Sequence, residues 1–189
     1  QFIKNHCRKQ GNVYLGLVHR LDRPASGVMV LARTSKAAAR LSSQFRQSTP
    51  LKKYIAVVEG RCSGSGVLTD YITKARTGPA IADAAHPAAR FAELSWASIA
   101  QNAGLSLLDI TLKTGRPHQI RLQLSRAGFP LCGDLRHGAR SIFDGRNLAL
   151  HCYLLGLDHP VQKTFMQWKA PPPQSWQGFF DSAVSRLIL

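Results

Sequence analysis

His19-Arg20-Leu21-Asp22-Arg23-Pro24-Ala25-Ser26-Gly27 sets one carboxylate between two guanidiniums in a loop punctuated by Pro, Ser and Gly, and leads straight into the apolar run Val28-Met29-Val30-Leu31-Ala32. Flanking cations favour the charged form of Asp22. A carboxylate held on a stiff loop can act as a nucleophile or stabilise developing positive charge. A surface ion pair with Arg20 or Arg23 accounts for the same residues, and on local chemistry alone it is the stronger reading.

The surroundings of this loop are strongly basic. The 189 residues carry 25 Lys and Arg against 10 Asp and Glu, a formal charge of +15. Residues 1 to 53 hold eleven Lys and Arg, and Asp22 is their only acid. Such a field draws polyanions, and counterion release makes nucleic acid the expected partner. No run reaches the roughly 18 apolar residues of a membrane span, and no Lys-rich amphipathic helix favours a membrane surface. The four cysteines, Cys7, Cys62, Cys132 and Cys152, form no Cys-x-x-Cys pair. Cys132, His137, His151, Cys152 and His159 match no common zinc spacing, so no metal is expected. A dinucleotide fingerprint and a Walker A loop are also missing.

Strand and helix signals are mixed. Residues 27–32, 53–58, 92–99, 105–112 and 164–169 read as strands. In the fourth, Leu108, Ile110 and Leu112 face one way and Asp109, Thr111 and Lys113 the other, an alternation with one wet face. Ser35 is the expected N-cap of a helix over 36–46 with Ala38, Leu41 and Phe45 as its apolar stripe. A second helix is expected to open at Pro117, bury Ile120, Leu124 and Ala127, and end at Gly128. The tail from Ser175 reads as a third. Residues 60–66 and 76–87 read as loops, the latter as the best candidate for a mobile one. Without strict βαβ alternation the pattern predicts an α+β fold with a largely antiparallel sheet.

Two further stretches carry chemistry. In Lys52-Lys53-Tyr54-Ile55-Ala56-Val57-Val58-Glu59-Gly60, a strand tyrosine can stack on a base while the lysines meet phosphates; a half-buried strand aromatic explains it equally simply. In Lys113-Thr114-Gly115-Arg116-Pro117-His118-Gln119-Ile120-Arg121, a strand turns into a helix whose free N–H groups and flanking cations suit an anion. Arg121, one turn in, can clamp a carboxylate or phosphate, or merely be solvated.

In their wording and order these three stretches resemble the pseudouridine synthases of the RluA family. The resemblance continues through Gly128-Phe129-Pro130-Leu131-Cys132-Gly133-Asp134, Leu148-Ala149-Leu150-His151 and Asp158-His159-Pro160, and ends near Lys169-Ala170-Pro171. It implies the pseudouridine synthase fold: a mixed, mainly antiparallel bent sheet with flanking helices around a basic cleft. It implies that Asp22 reacts with a uridine flipped out of RNA, breaking the glycosidic bond so that the uracil rotates and rejoins the ribose through C5. Arg20 would fill the gap in the stack. Tyr54 would pack on the uracil and take the later proton, and Arg121 would pair with the aspartate. Arg23, Lys52, Lys53, Arg116 and His118 would meet the RNA, and Leu148 or Leu150 would wall the uracil pocket. No cofactor or metal is implied. The expected partner is ribosomal or transfer RNA, met by a cytoplasmic monomer. A glycosidase-like hydrolase is disfavoured, since it generally needs two carboxylates and the chain has only ten acids.

The chain departs from the family pattern at Ala25, where threonine is usual, at Pro117, where a small hydroxyl residue is common, and at His137, where tyrosine is expected. No Lys-Pro-x-Gly strand precedes Asp22. The expectation is therefore one catalytic domain over 1–189 without that strand and without an accessory RNA-binding module.

Overall fold

Leu105–Leu112 is the strand from which the architecture is best followed, because its neighbours on both sides are long and antiparallel. The computed structural model describes residues 2–6 and 12–188. In chain order the elements are α1 (Phe2–His6), β1 (Gly16–Leu17), β2 (Ser26–Gly27), β3 (Leu31–Ala32), α2 (Ser35–Arg46), β4 (Leu51–Glu59), β5 (Ser65–Ala75), β6 (Gly78–Ala82), β7 (Arg90–Asn102), β8 (Leu105–Leu112), α3 (Gln119–Arg126), β9 (Leu150–Asp158), β10 (Phe165–Lys169) and α4 (Asp181–Ile188). An eight-stranded sheet runs β10-β9-β4-β8-β7-β5-β6, with β2 added alongside β9. Every pair in it is antiparallel except β2 with β9. The expected α+β class with a mainly antiparallel sheet is what the chain adopts.

Both faces of the central strands are covered. On one, Ala56, Val58, Leu108 and Ile110 pack with Ile120 and Leu124 of α3. On the other, Ile55, Val57, Leu107 and Tyr153 pack with Trp176 and with Ala183, Val184 and Ile188 of α4. The second face of β8 is therefore not wet along its length: Leu107 is fully buried there. At about 25 cal/mol per Å² of apolar area, the two layers supply the main driving force for the fold. A smaller cluster of Ala32, Leu41 and Leu157 seats α2, with Ala38 and Phe45 against it.

Several local expectations are corrected. Residues 27–32 are not one strand: β2 pairs with β9, β3 turns away to pair with β1. Thr34, not Ser35, caps α2, its hydroxyl accepting the Ala37 N–H. Helix α3 starts two residues after Pro117, and its Ala127 is exposed. Much of the supposed loop at 76–87 is β6, the return arm of a hairpin with β5. β5 carries no clear strand signal because Gly66, Thr69 and Asp70 break its apolar pattern. β9 is buried on both faces, so it lacks the alternation that marks a half-buried strand. Cys62, Cys132 and Cys152 are buried free thiols; Cys7, part of the cysteine argument, lies outside the described residues. Among the described residues no helix is long and apolar enough to cross a membrane.

Gly27 locks the Asp22 loop to this sheet. Its φ is +137°, and a Cβ there would meet the Cys152 backbone N and O at 2.5 Å. Only glycine fits both the angle and the approach. Gly27→Ala is expected to lower unfolding free energy by at least about 2 kcal/mol, read from the urea midpoint.

Candidate active site

The Asp22 loop reaches its position through backbone bonds. A turn closes from the Ala25 N–H to the Asp22 carbonyl, 2.9 Å, and Leu148 N–H donates to the Pro24 carbonyl, 3.2 Å. Ser26 then docks beside His151, oxygen to Nδ1 2.8 Å. Nε2 of His151 faces the Ala170 carbonyl at 3.0 Å. A carbonyl can only accept, so Nε2 carries the proton and the Ser26 hydroxyl donates to Nδ1. Burial lowers the pKa of His151 and keeps this neutral tautomer in place.

Arg121 rises from α3 beneath the loop. Its Nε and Nη2 donate to the two oxygens of Asp134 at 2.7 Å each, and its Nη1 lies 3.5 Å from Asp22 Oδ2. The Arg121 and Asp134 side chains are 6% and 2% exposed. Burial lowers the Arg121 pKa, but the hydrogen bonds and charges of Asp134 and Asp22 outweigh it and raise the net value. Asp134 is the partner that sequence reasoning missed. It lay in plain view at the end of the Gly128–Asp134 stretch, and only its pairing was illegible.

Tyr54 stands on β4 against the first core layer. Burial, the neighbouring Cys152 and the Asp22 carboxylate push its pKa well above the phenol range. At neutral pH the resting phenol keeps its proton. It can therefore pack and donate, but it must lose that proton before it can accept one.

Asp22, Tyr54 and Leu150 line a cavity of about 560 Å³ with Leu112, Ile120 and His118, and Arg20, Arg46, Lys52 and Arg116 complete its basic walls. A second cavity of about 770 Å³ shares Arg20, Asp22, Arg116 and His118 and continues under the β5–β6 hairpin past Arg23, Lys74 and Arg90. Asp22 thus sits where two basic recesses meet. Leu148 is not among the walls; it is buried in the core. Lys53 is not in either recess. Successive strand residues point to opposite faces, and Lys53 pairs with Asp109 at 3.0 Å beside Tyr153 on the far side. The free N–H cradle expected at the start of α3 is partly closed, since Gln119 Oε1 accepts the Arg116 N–H and the Thr114 hydroxyl. His118, at φ 55°, meets the unexpected His137, Nδ1 to Nε2 3.2 Å. Among the described residues no group of three or more His, Cys, Asp or Glu side chains could hold a metal ion.

A family model described as RNA pseudouridylate synthase matches residues 1–126. The chain belongs to this family. Among relatives of the RNA pseudouridylate synthase family, it is 32% identical over 203 residues to "Ribosomal large subunit pseudouridine synthase D" of Nitrosomonas europaea, covering 97% of this chain and 58% of that protein. It is 31% identical over 201 residues to "tRNA pseudouridine synthase C" of Vibrio parahaemolyticus, covering 95% of this chain and 81% of that one. A Bacillus subtilis RNA pseudouridine synthase is 32% identical over 84% of this chain and 52% of its own length. These relatives are the RluA family that the motifs resemble. The chain spans little more than half the length of the first curated relatives it matches. The solved structure of human RNA pseudouridylate synthase domain containing 1 superposes with a TM-score of 0.74 at 21% identity, over 90% of this chain and 72% of that one, and shares its fold.

Two measurements check this geometry. Asp134→Asn leaves the buried guanidinium only the longer Asp22 contact as counter-charge and is expected to cost about 3 kcal/mol in urea unfolding. His19 supplies the pH test. Its Nε2 accepts the Val30 N–H at 2.9 Å, and burial followed by the Lys52 charge lowers its pKa to about 4. The unfolded chain then binds more protons between pH 6.5 and 4, so stability falls as pH drops through that window. His118, His137 and His151 are shifted the same way. His19→Gln should reduce, not abolish, that slope in stability measured from pH 7 to 4.

Proposed function

We propose that this protein isomerises uridines in structured RNA to pseudouridine, with Asp22 as the residue that reacts with the target. The observation that carries the reading is the meeting of the Asp22 carboxylate and the Arg121 guanidinium, 3.5 Å apart, at the mouth of a recess that Tyr54 also lines. Family membership supplies the chemistry: the C1′–N1 bond breaks, C1′–C5 forms, the C5 proton leaves and N1 gains one. The exchange is redox-neutral.

The side chains fit distinct parts of that sequence. A paired or stacked uridine must leave the helix before its glycosidic bond is accessible. Arg20 is exposed on the rim common to both recesses, where it can enter the vacated stack. Leu112, Ile120 and Leu150 offer the base an apolar wall, and Tyr54 a ring to pack on. Arg121 is anchored by Asp134, so it holds Asp22 in one orientation without itself moving. Asp134 is a second carboxylate near the site, but both its oxygens are spent on Arg121. It is therefore no second catalytic acid, and hydrolysis remains the poorer reading. The relatives' names cover both ribosomal and transfer RNA, and the proposal takes either as substrate in the cytoplasm.

The test is release of tritium from RNA labelled at uridine C5, with ribosomal and transfer RNA as separate arms. Asp22→Asn should lose at least about 10³-fold in rate while RNA affinity stays within about threefold. Intact binding by the unaltered protein without any tritium release would make it an RNA-binding module and not an enzyme.

A further inference from the structure

Lys52 is the one cation of the catalytic recess that the fold both buries and leaves unpaired among the described residues. Its residue exposure is 8%. Among the described residues its ammonium makes no hydrogen bond or ion pair, whereas Lys53 next to it is paired with Asp109. The side chain lines the same cavity as Asp22 and Tyr54. Gly115 leaves the space beside it open, since even a Cβ there would be 3.6 Å from Nζ.

The Lys52 residue is buried, but its Nζ is not among the fully buried unpartnered atoms, so the ammonium faces the recess, where it is poorly solvated and lacks a counter-charge. The cavity does not supply that charge. Asp22 is the only acid among its walls, and its carboxylate is engaged by Arg121. The remaining charged walls are Arg20, Arg46 and Arg116. Arg116 is held over the recess by its Nε donating to the Phe91 carbonyl at 2.8 Å. Four cations against one committed carboxylate describe a place for an incoming anion, and a singly charged phosphodiester is the anion that a polynucleotide brings.

We propose that Lys52, with Arg116 beside it, forms a phosphate subsite inside the catalytic recess that holds a phosphodiester flanking the extruded uridine itself. The inference rests on the reading of this recess as the site of uridine isomerisation. Lys52 and Tyr54 lie two residues apart on the same face of β4, about 6.6–6.8 Å along the strand. That is the scale of the reach from a base to its own phosphate, so one nucleotide can lay its base on Tyr54 and its backbone on Lys52. Burial and the Arg116 charge, only partly opposed by Cys152, hold the Lys52 pKa below its usual range. An arriving phosphate favours the charged form and opposes that lowering, so charge and contact support each other as the nucleotide seats. Such a subsite recognises extrusion and not sequence. It would favour a nucleotide already drawn into the recess over one still in the helix.

The experiment uses the whole chain and a substrate RNA in which one phosphate at a time, on either side of the target uridine, is replaced by a neutral methylphosphonate. Wild type, Lys52→Gln and Lys52→Arg are compared for kcat/KM by tritium release. For wild type, one flanking position should cost about 10- to 100-fold when neutral, the value of a charge-assisted hydrogen bond. Lys52→Gln should lose a similar factor on native RNA, yet lose less than about threefold more on the RNA neutral at that position. Lys52→Arg should recover part of the loss. Losses that multiply at both flanking positions would overturn the subsite, as would a Lys52→Gln variant with wild-type kcat/KM. Affinity of the same RNAs, measured by fluorescence anisotropy in the Asp22→Asn background, repeats the cycle without turnover. Coupling in affinity with no tritium release from wild type would retain the subsite and sink the isomerase reading alone. Additive losses in affinity together with normal release would do the reverse. Thermal unfolding of each variant identifies one that fails to fold, and Lys52→Arg then carries the cycle.

Discussion

The guanidinium of Arg121 is a cation almost fully withdrawn from water, and the geometry around it follows from the need to neutralise it. Two parallel hydrogen bonds of 2.7 Å to Asp134 use its edge completely and fix its plane. The third nitrogen is left pointing at Asp22, 99 residues earlier in the chain. Helix α3, the segment before the Leu135–His137 turn and the Asp22 loop are thus drawn to one point. A surface ion pair would hold none of them firmly. Here the low-dielectric setting gives the pair its stiffness, and it makes the loss of either carboxylate expensive.

The sheet supplies the rest of the positioning. β4 is sandwiched between β8 and β9, and its register with β9 shifts between Lys53 and Tyr54. The extra residue is Tyr153 of β9, so the side chains of β4 keep their strict alternation. Tyr54 and Lys52 come to the face that α3 and the Asp22 loop enclose, while Lys53 is given to the opposite layer with Asp109 and Tyr153. Gly27 closes the assembly by letting the loop run against Cys152, immediately across from Tyr54 in the β4–β9 register. The two recesses then meet at the carboxylate. One is lined by the core strands and α2, the other by the β5–β6 hairpin.

Legibility in the sequence followed the physics of each signal. Strand β8 could be read to the residue because one side of it alternates cleanly. β9 could not, because a strand covered on both faces has no reason to alternate. The hairpin of β5 and β6 was hidden by its own polarity, since most of its residues border solvent or a recess rather than a core. The α2 cap was misplaced by a single residue, since Thr34 and Ser35 have equivalent hydroxyls and only the backbone angles distinguish them. Lys52 and Lys53 are neighbours in sequence with different surroundings, because the period of a strand assigns adjacent residues to opposite faces.

By itself the sequence determined the fold class and the family, and it singled out Asp22, Tyr54 and Arg121 as the candidates for the chemistry, because each sits in a stretch whose order and wording are specific. Local chemistry by itself left Asp22 a surface ion pair. Only the tertiary structure decided that the arginine expected to pair with it is buried and already held by Asp134, that Leu150 and not Leu148 lines the recess, and that Lys52 faces the recess unpaired. Those outcomes depend on register, burial and pairings across the chain, which no local pattern of residues can encode.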